Sequence, residues 1–161
     1  MGGIDKLKEK IWRSSQKIHP LPVGDLSSFR TLGRTADELP RFNSPIQMTL
    51  RRARADAAAS GFQVRTGDNV AVPIGAANRD PDAFEEPDRL DVGRVDCPHL
   101  SLGRGIHHCL GTQLARLEGR VAFEMLLERF PRIELLGPRP KYHHGVVLRS
   151  LRSLPLRCRR A

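Results

Sequence analysis

A chain of 161 residues is long enough for one domain with its own core, and 27 Lys and Arg against 18 Asp and Glu leave it a net charge of +9. Only three cysteines are present (Cys97, Cys109, Cys158), an odd and sparse count that argues against a disulfide framework and fits a reducing, cytoplasmic compartment. No apolar run can span a membrane and no secretory leader follows Met1; with aromatics at 5% nothing suggests a base-stacking platform, so nucleic acid is not expected as a partner.

Residues 1 to 18 read as a basic amphipathic helix. Ile4, Leu7, Ile11 and Trp12 share one face, with Lys6, Lys8, Lys10, Arg13 and Lys17 around the rest. Such a helix can lie on an anionic membrane surface, but packing of its stripe on the domain is the expectation. Residues 19–34 carry His-Pro, Leu-Pro, Gly and Ser and read as a connector, so 1–34 are set apart from a region over 35–161. Thr35-Ala36-Asp37-Glu38 has the spacing of a capping box and predicts a helix start at Thr35. Glu38 and Arg41 stand three apart and can pair on one helix face. Pro40 disfavours helix between them and would distort the pair.

Phe62-Gln63-Val64 and Val70-Ala71-Val72 flank Thr66-Gly67-Asp68, which predicts a hairpin of those two strands. Turns and charges follow through Asn78, Arg79, Asp80, Pro81, Asp88, Arg89 and Asp91. Beyond residue 111, Leu114, Leu117, Val121 and Met125 recur at helical spacing as far as about Arg129, where Phe130-Pro131 stops the helix. Arg132 to Leu135 and Val146 to Leu148 are candidate strands. The Arg157 to Arg160 run reads as a solvated tail. His143-His144 is a weak metal pair, because adjacent residues diverge on a strand.

The chemistry concentrates between His99 and Gly111, which hold three glycines, three histidines and one cysteine. Cys109 stands where a glycine-rich loop enters the helix. Helix-start N–H groups bias a cysteine there toward thiolate, the metal-binding form. Gly103, Gly105 and Gly111 allow positive φ and leave the backbone bare, so the loop can lie against something large and flat. His107 can donate to an anionic group on it. A thiolate, a bare loop and a cationic donor suit a haem. A dinucleotide fingerprint fails, because His108 stands where its third glycine belongs. Zinc on Cys97, His99, His107 and Cys109 lacks the paired short spacings of structural sites. A plain buried cysteine at a helix start is the remaining alternative.

Residues Leu102 to Gly111 closely resemble the haem-ligand loop of the cytochromes P-450, the haem-thiolate monooxygenases. The family pattern is aromatic, Gly, any, Gly, any, His or Arg, any, Cys, any, Gly; here Leu102 holds the aromatic position. Leu114-Ala115-Arg116-Leu117-Glu118 resembles the family's proximal helix, and Leu148 to Leu156 its final strand segment. The resemblance implies Cys109 as the iron ligand of a haem b (iron protoporphyrin IX), with Leu102, Gly103, Gly105 and Gly111 flanking the macrocycle. It implies His107 and Arg51 at the propionates, and Glu38–Arg41 as a structural ion pair. For Arg51, a solvated arginine in a basic run weighs equally.

The implied fold is mainly α with small β-sheets (α+β): the C-terminal part of the cytochrome P-450 fold, with no counterpart of its long distal helix and acid–alcohol pair. The implied activity inserts one oxygen atom from O2 into a small organic substrate, with electrons from a ferredoxin or flavoprotein type of donor. Two other readings stand beside it: a non-catalytic haem-binding fragment, and a basic binding module without cofactor. If the proximal elements are built against a larger partner, their apolar faces should lack cover.

Overall fold

The computed structural model describes residues 32–59, 61–137 and 140–160. The amphipathic segment expected at residues 1 to 18 lies outside them.

The first helix among the described residues, α1, runs Leu32–Phe42 and begins one turn earlier than the capping-box spacing suggests. Thr35 is not its cap but a fully buried residue inside it. Thr35, Glu38 and Arg41 repeat every three residues, as one helical face does, and Ser44 beyond the helix end continues the line. All four are buried, so the inward stripe of α1 is polar. Pro40 costs little here, since it stands in the last turn, where the helix closes with Asn43 N–H donating to the Leu39 carbonyl at 2.9 Å. The expected distortion of the Glu38–Arg41 pair does not occur.

The chain then doubles back once. Strands β1 (Thr49–Arg52) and β4 (Asn69–Val72) pair antiparallel, and β2 (Ala57–Ala59) pairs with β3 (Phe62–Val64) nested inside them. Both pairs keep one register, with the reversal at Gly61 (φ +81°). The predicted hairpin of 62–64 with 70–72 is therefore corrected: those segments lie on the same arm. Thr66-Gly67-Asp68 does turn, with Gly67 at φ +92°, but as a kink within that arm. The cause is side-chain competition for the ladder. The Asp56 carboxylate accepts from the Thr66 N–H and hydroxyl at 2.7 and 2.8 Å, and Asp68 accepts from the Arg65 N–H at 2.8 Å.

A short helix, α2 (Ile74–Ala77), follows β4, and a succession of turns leads to a 3-10 turn at Gly105–His107. Helix α3 spans Thr112–Arg129, as its periodicity predicts, and packs on α1. The C-terminal part forms two more antiparallel pairs, β5 (Arg132–Leu135) with β8 (Leu156–Arg159) and β6 (Lys141–Tyr142) with β7 (Leu151–Ser153). The Arg157 to Arg160 run is solvated as expected, but most of it is paired strand rather than a loose tail, with Leu156, Arg157, Cys158 and Arg159 all exposed in β8. Val146 to Leu148 makes only one bridge, Leu148 to Ile46.

Among the described residues the buried apolar side chains are Ile74 and Phe84, while seven polar ones are buried: Thr35, Glu38, Arg41, Ser44, Asn78, Ser101 and Thr112. No buried side-chain nitrogen or oxygen of the described residues lacks a hydrogen-bond partner. The interior beneath α1 is a hydrogen-bonded knot rather than an apolar core. The α3 stripe lies open instead, with Leu114, Leu117, Val121 and Met125 exposed by 59%, 49%, 40% and 65%.

Candidate haem-ligand site

The scaffold begins at Arg41, which is buried and spends all five of its N–H bonds. Nε and Nη2 grip Glu38 in a fork at 2.6 and 2.7 Å. Nη1 donates to the carbonyls of Asn78 and Pro87, and Nη2 to that of Arg89, each at 2.9 Å. Glu38 accepts further from the Asp91 N–H at 2.9 Å, Arg94 Nε at 3.2 Å and the Cys97 thiol at 3.6 Å. Burial pushes the Glu38 carboxyl up; the Arg41 fork, the Asp91 N–H and the charges of Arg41 and Arg94 outweigh it, and the net shift is downward. A pair legible as i,i+3 on one helix is in fact the anchor for residues 78 to 97.

Three details connect this anchor to the loop. Asn78 Oδ1 accepts from Leu100 N–H at 2.8 Å, and Asn78 Nδ2 donates to Ser101 Oγ at 2.8 Å. The Ser101 hydroxyl donates to the Pro40 carbonyl at 2.7 Å and lies 2.9 Å from Ser44 Oγ. Asp37 on α1 holds Arg116 of α3 through Nε and Nη2, both at 2.8 Å, with His99 Nε2 3.7 Å away. The His99 ring is buried and accepts from the Ser101 N–H at Nδ1, which leaves its proton on Nε2 toward Asp37. Burial holds the imidazole below its ordinary value despite the Asp37 charge.

The loop itself closes with Cys109 N–H donating to the Leu102 carbonyl at 2.8 Å. Gly103 donates back to Leu100 at 2.9 Å and adopts φ +73°. A Cβ there would sit 2.2 Å from the His107 carbonyl oxygen, so the close approach of the two backbones requires glycine. Gly105, at φ +60°, faces open space. Thr112, buried at the first turn of α3, donates to the Cys109 carbonyl at 2.7 Å and meets His108 Nε2 at 3.1 Å. The loop backbone is thereby fixed on both sides of Cys109. Its side chain is exposed, as are those of Ile106, His107 and Leu110.

Cys97 has the opposite environment. Burial, then the charge of Glu38 and the hydrogen bond to it, push its thiol up to about 12, so it stays protonated. That removes it from a zinc set, and no cluster of three or more metal-binding side chains occurs among the described residues. The structure brings Leu102, Gly103, His107 and Cys109 into one loop with Gly111 capping α3. It brings no contact from Arg51, whose Nη1 donates to Thr49 Oγ1 and the Leu50 carbonyl on its own strand. Arg94, Asn78, Ser101 and the Asp37–Arg116 pair are functional neighbours that the sequence reading does not single out. Asp37, Asn78, Ser101 and Arg116 lie in segments it marks, but no local pattern shows that they meet.

These residues fit a haem. The sulfur is exposed at the end of a rigid turn, the backbone at Gly105 is bare, and the flanking Ile106 and Leu110 offer apolar cover rather than competing ligands. No helix among the described residues is long and apolar enough to cross a membrane.

Comparison with known proteins agrees. A family model described as Cytochrome P450 matches residues 4–154, a span that begins well before Thr35. The polyketide biosynthesis cytochrome P450 PksS of Bacillus subtilis (strain 168) is 44% identical over 128 residues, 78% of this chain and 32% of that protein. The biotin biosynthesis cytochrome P450 of the same organism is 42% identical over 125 residues, again 78% of this chain and 32% of the relative. The solved structure of PksS superposes with a TM-score of 0.76 at 38% identity, covering 94% of this chain and 37% of PksS. That of P450 OxyD, involved in the biosynthesis of vancomycin-type antibiotics, gives 0.81 at 33% identity, covering 92% and 39%. The chain spans about a third of the length of these relatives, 32% for both curated ones. A family match over nearly the whole chain, with 44% identity to a curated member, makes this chain a member of the cytochrome P450 family, the haem-iron monooxygenases.

Proposed function

We propose that Cys109 is the axial thiolate ligand of a haem b, and that this chain supplies the proximal, ligand-bearing portion of a haem-thiolate monooxygenase. The observation that carries the reading is the Cys109 turn: a backbone held from Leu102 and Thr112 presents one exposed sulfur on a bare, apolar-flanked loop. His107 and Arg51 would hold the propionates, and Leu102, Gly103, Gly105 and Gly111 the macrocycle edge near the sulfur. Thiolate ligation of the iron supplies the electron push that favours O–O cleavage. The chain's own part is to fix the sulfur, keep Cys97 protonated and out of competition, and tie the loop to α1.

The reaction of the longer protein is oxygen insertion into a small organic substrate, fed by a ferredoxin or flavoprotein donor that the basic charge would attract. A cytoplasmic location follows from the sparse thiols. The uncovered stripe on α3 favours a narrower reading for the 161 residues by themselves: they hold haem but do not turn over. A basic module without cofactor is disfavoured by the presented sulfur.

Titration of the chain with haemin, then reduction under carbon monoxide, tests the assignment. Cys109→Ser is expected to abolish the thiolate-type spectrum, while Cys97→Ser and Cys158→Ser keep it. A thiolate spectrum retained by Cys109→Ser overturns the ligand. Coupled hydroxylation at about one turnover per second or faster by the haem-loaded chain overturns the non-catalytic reading.

A further inference from the structure

We infer that Asn78 is a positioning residue for the ligand loop, setting through it the place of the Cys109 sulfur; this rests on the reading of Cys109 as the ligand. Asn78 caps the C-terminus of α2 and is wholly buried. Its three acceptor and donor groups point to three partners. The backbone carbonyl accepts from Arg41 Nη1 at 2.9 Å, while the side-chain oxygen and nitrogen take the Leu100 N–H and the Ser101 hydroxyl, each at 2.8 Å. The two side-chain bonds therefore fall on consecutive residues, and the next residue, Leu102, is the one whose carbonyl holds the Cys109 N–H. Ser101 is gripped from the other side by the Pro40 carbonyl, next to Arg41.

Only an amide of this length serves both side-chain partners. Aspartate keeps the acceptor for Leu100 but has no donor for Ser101; leucine keeps the shape and offers neither. The Arg41 contact uses backbone, so a side-chain substitution severs the loop while leaving the Glu38–Arg41 fork in place. That separation makes positioning distinguishable from general support of the fold.

The test uses the full chain and two readouts. In hydrogen exchange, Asn78→Ala is expected to speed exchange of the Leu100 and Cys109 amides by roughly 10- to 100-fold, the loss of a buried donor's partner. Amides of α1 should slow or speed only with global stability. In the haem-loaded chain, at equal haem content, the thiolate fraction under carbon monoxide should fall for Asn78→Ala and Asn78→Leu and recover in part for Asn78→Asp. Ile133→Ala, in the remote β5, serves as a variant compared at equal fraction folded and should leave both readouts at wild-type values. Loop amides and thiolate fraction unchanged in Asn78→Ala, or changed no more than in Ile133→Ala, would overturn the inference. If the wild-type chain gives no thiolate spectrum at all, the Cys109 assignment falls, and exchange at Leu100 and Cys109 still decides whether Asn78 holds the loop.

Discussion

Two regions of this chain solve the folding problem in opposite ways. Beneath α1, a glutamate, two arginines, an asparagine and two serines are packed with their polar atoms satisfied. Across the Cys109 loop and α3, leucines, isoleucine, valine and methionine stand open. The first region is complete within the described residues and needs nothing added. The second has the residue types of a core and the exposure of a surface, which is what a cofactor and further protein would cover. Rigidity and exposure sit side by side: the knot holds a loop whose own outer face is apolar and open.

The sharpest way to break that contrast is at Arg41. Lysine there retains charge but offers three donors from one nitrogen, so it cannot serve Glu38 and three carbonyls at once. At least two of the five buried bonds are lost, so we expect Arg41→Lys to cost about 2–6 kcal/mol, at about 1–3 kcal/mol for each acceptor left without a donor, read by denaturant unfolding. A midpoint shift under about 1 kcal/mol would show that the knot is ornament.

Next in size is Gly103→Ala. Its Cβ would meet a backbone oxygen at 2.2 Å in a left-handed conformation, which costs about 1–3 kcal/mol or displaces the loop. Gly105→Ala, also left-handed but facing open space, should cost only about 1 kcal/mol. Equal effects of the two would mean that the close approach of Gly103 to His107 is not maintained in solution.

A third expectation concerns pH. His99 titrates lower in the fold than the ordinary 6.5, so the unfolded chain takes its proton first and stability falls as pH drops below about 6.5. Glu38, lowered in the fold, adds a further loss below its ordinary 4.5. The Cys97 thiol, raised from 9.0 to about 12, contributes stability below pH 9 that is lost between those values. A plateau from about 6.5 to 9 follows, and His99→Gln should move its acid edge downward; an unmoved edge would remove His99 from the account.

The smallest effect is expected on the open side. Leu114→Ser or Met125→Ser should change apo stability by no more than about 0.5 kcal/mol, because those side chains gain little from folding. Both should reduce binding of an apolar dye. Haem should stabilise the fold by mass action, by about 2.7 kcal/mol when free haem stands at 100 times its dissociation constant, and so raise the melting temperature. A sharp transition indifferent to haem and dye would make the open face a finished surface.

What was legible in the sequence was what is local. The glycine and cysteine spacing of residues 103–111, the i,i+3 pair and the period of α3 each express themselves within a few residues. What was hidden is carried by distance. Asn78 reaches Ser101 across 23 residues, Glu38 reaches Arg94 across 56, and neither leaves a periodic trace. The polar stripe of α1 also defeats a rule that sends apolar residues inward. Strand partners were misassigned for a third reason: two aspartates bend the arms of the hairpin in mid-course, and a turn at Gly67 looks from the sequence like its end.

The reach of Arg41 has a consequence for how the chain is made. Its three carbonyl partners lie 37, 46 and 48 residues downstream, and the backbone N–H and guanidinium that join it on Glu38 lie 53 and 56 residues beyond that carboxylate. On the ribosome, where residues emerge at about 5–20 per second, α1 must therefore wait seconds with its charged pair unhoused. The helix can form early, but the knot closes only when Arg94 has been delivered. Contacts of such long sequence separation are slow to form and late to reward the chain, so newly made molecules should linger as substrates for chaperones before the ligand loop takes shape.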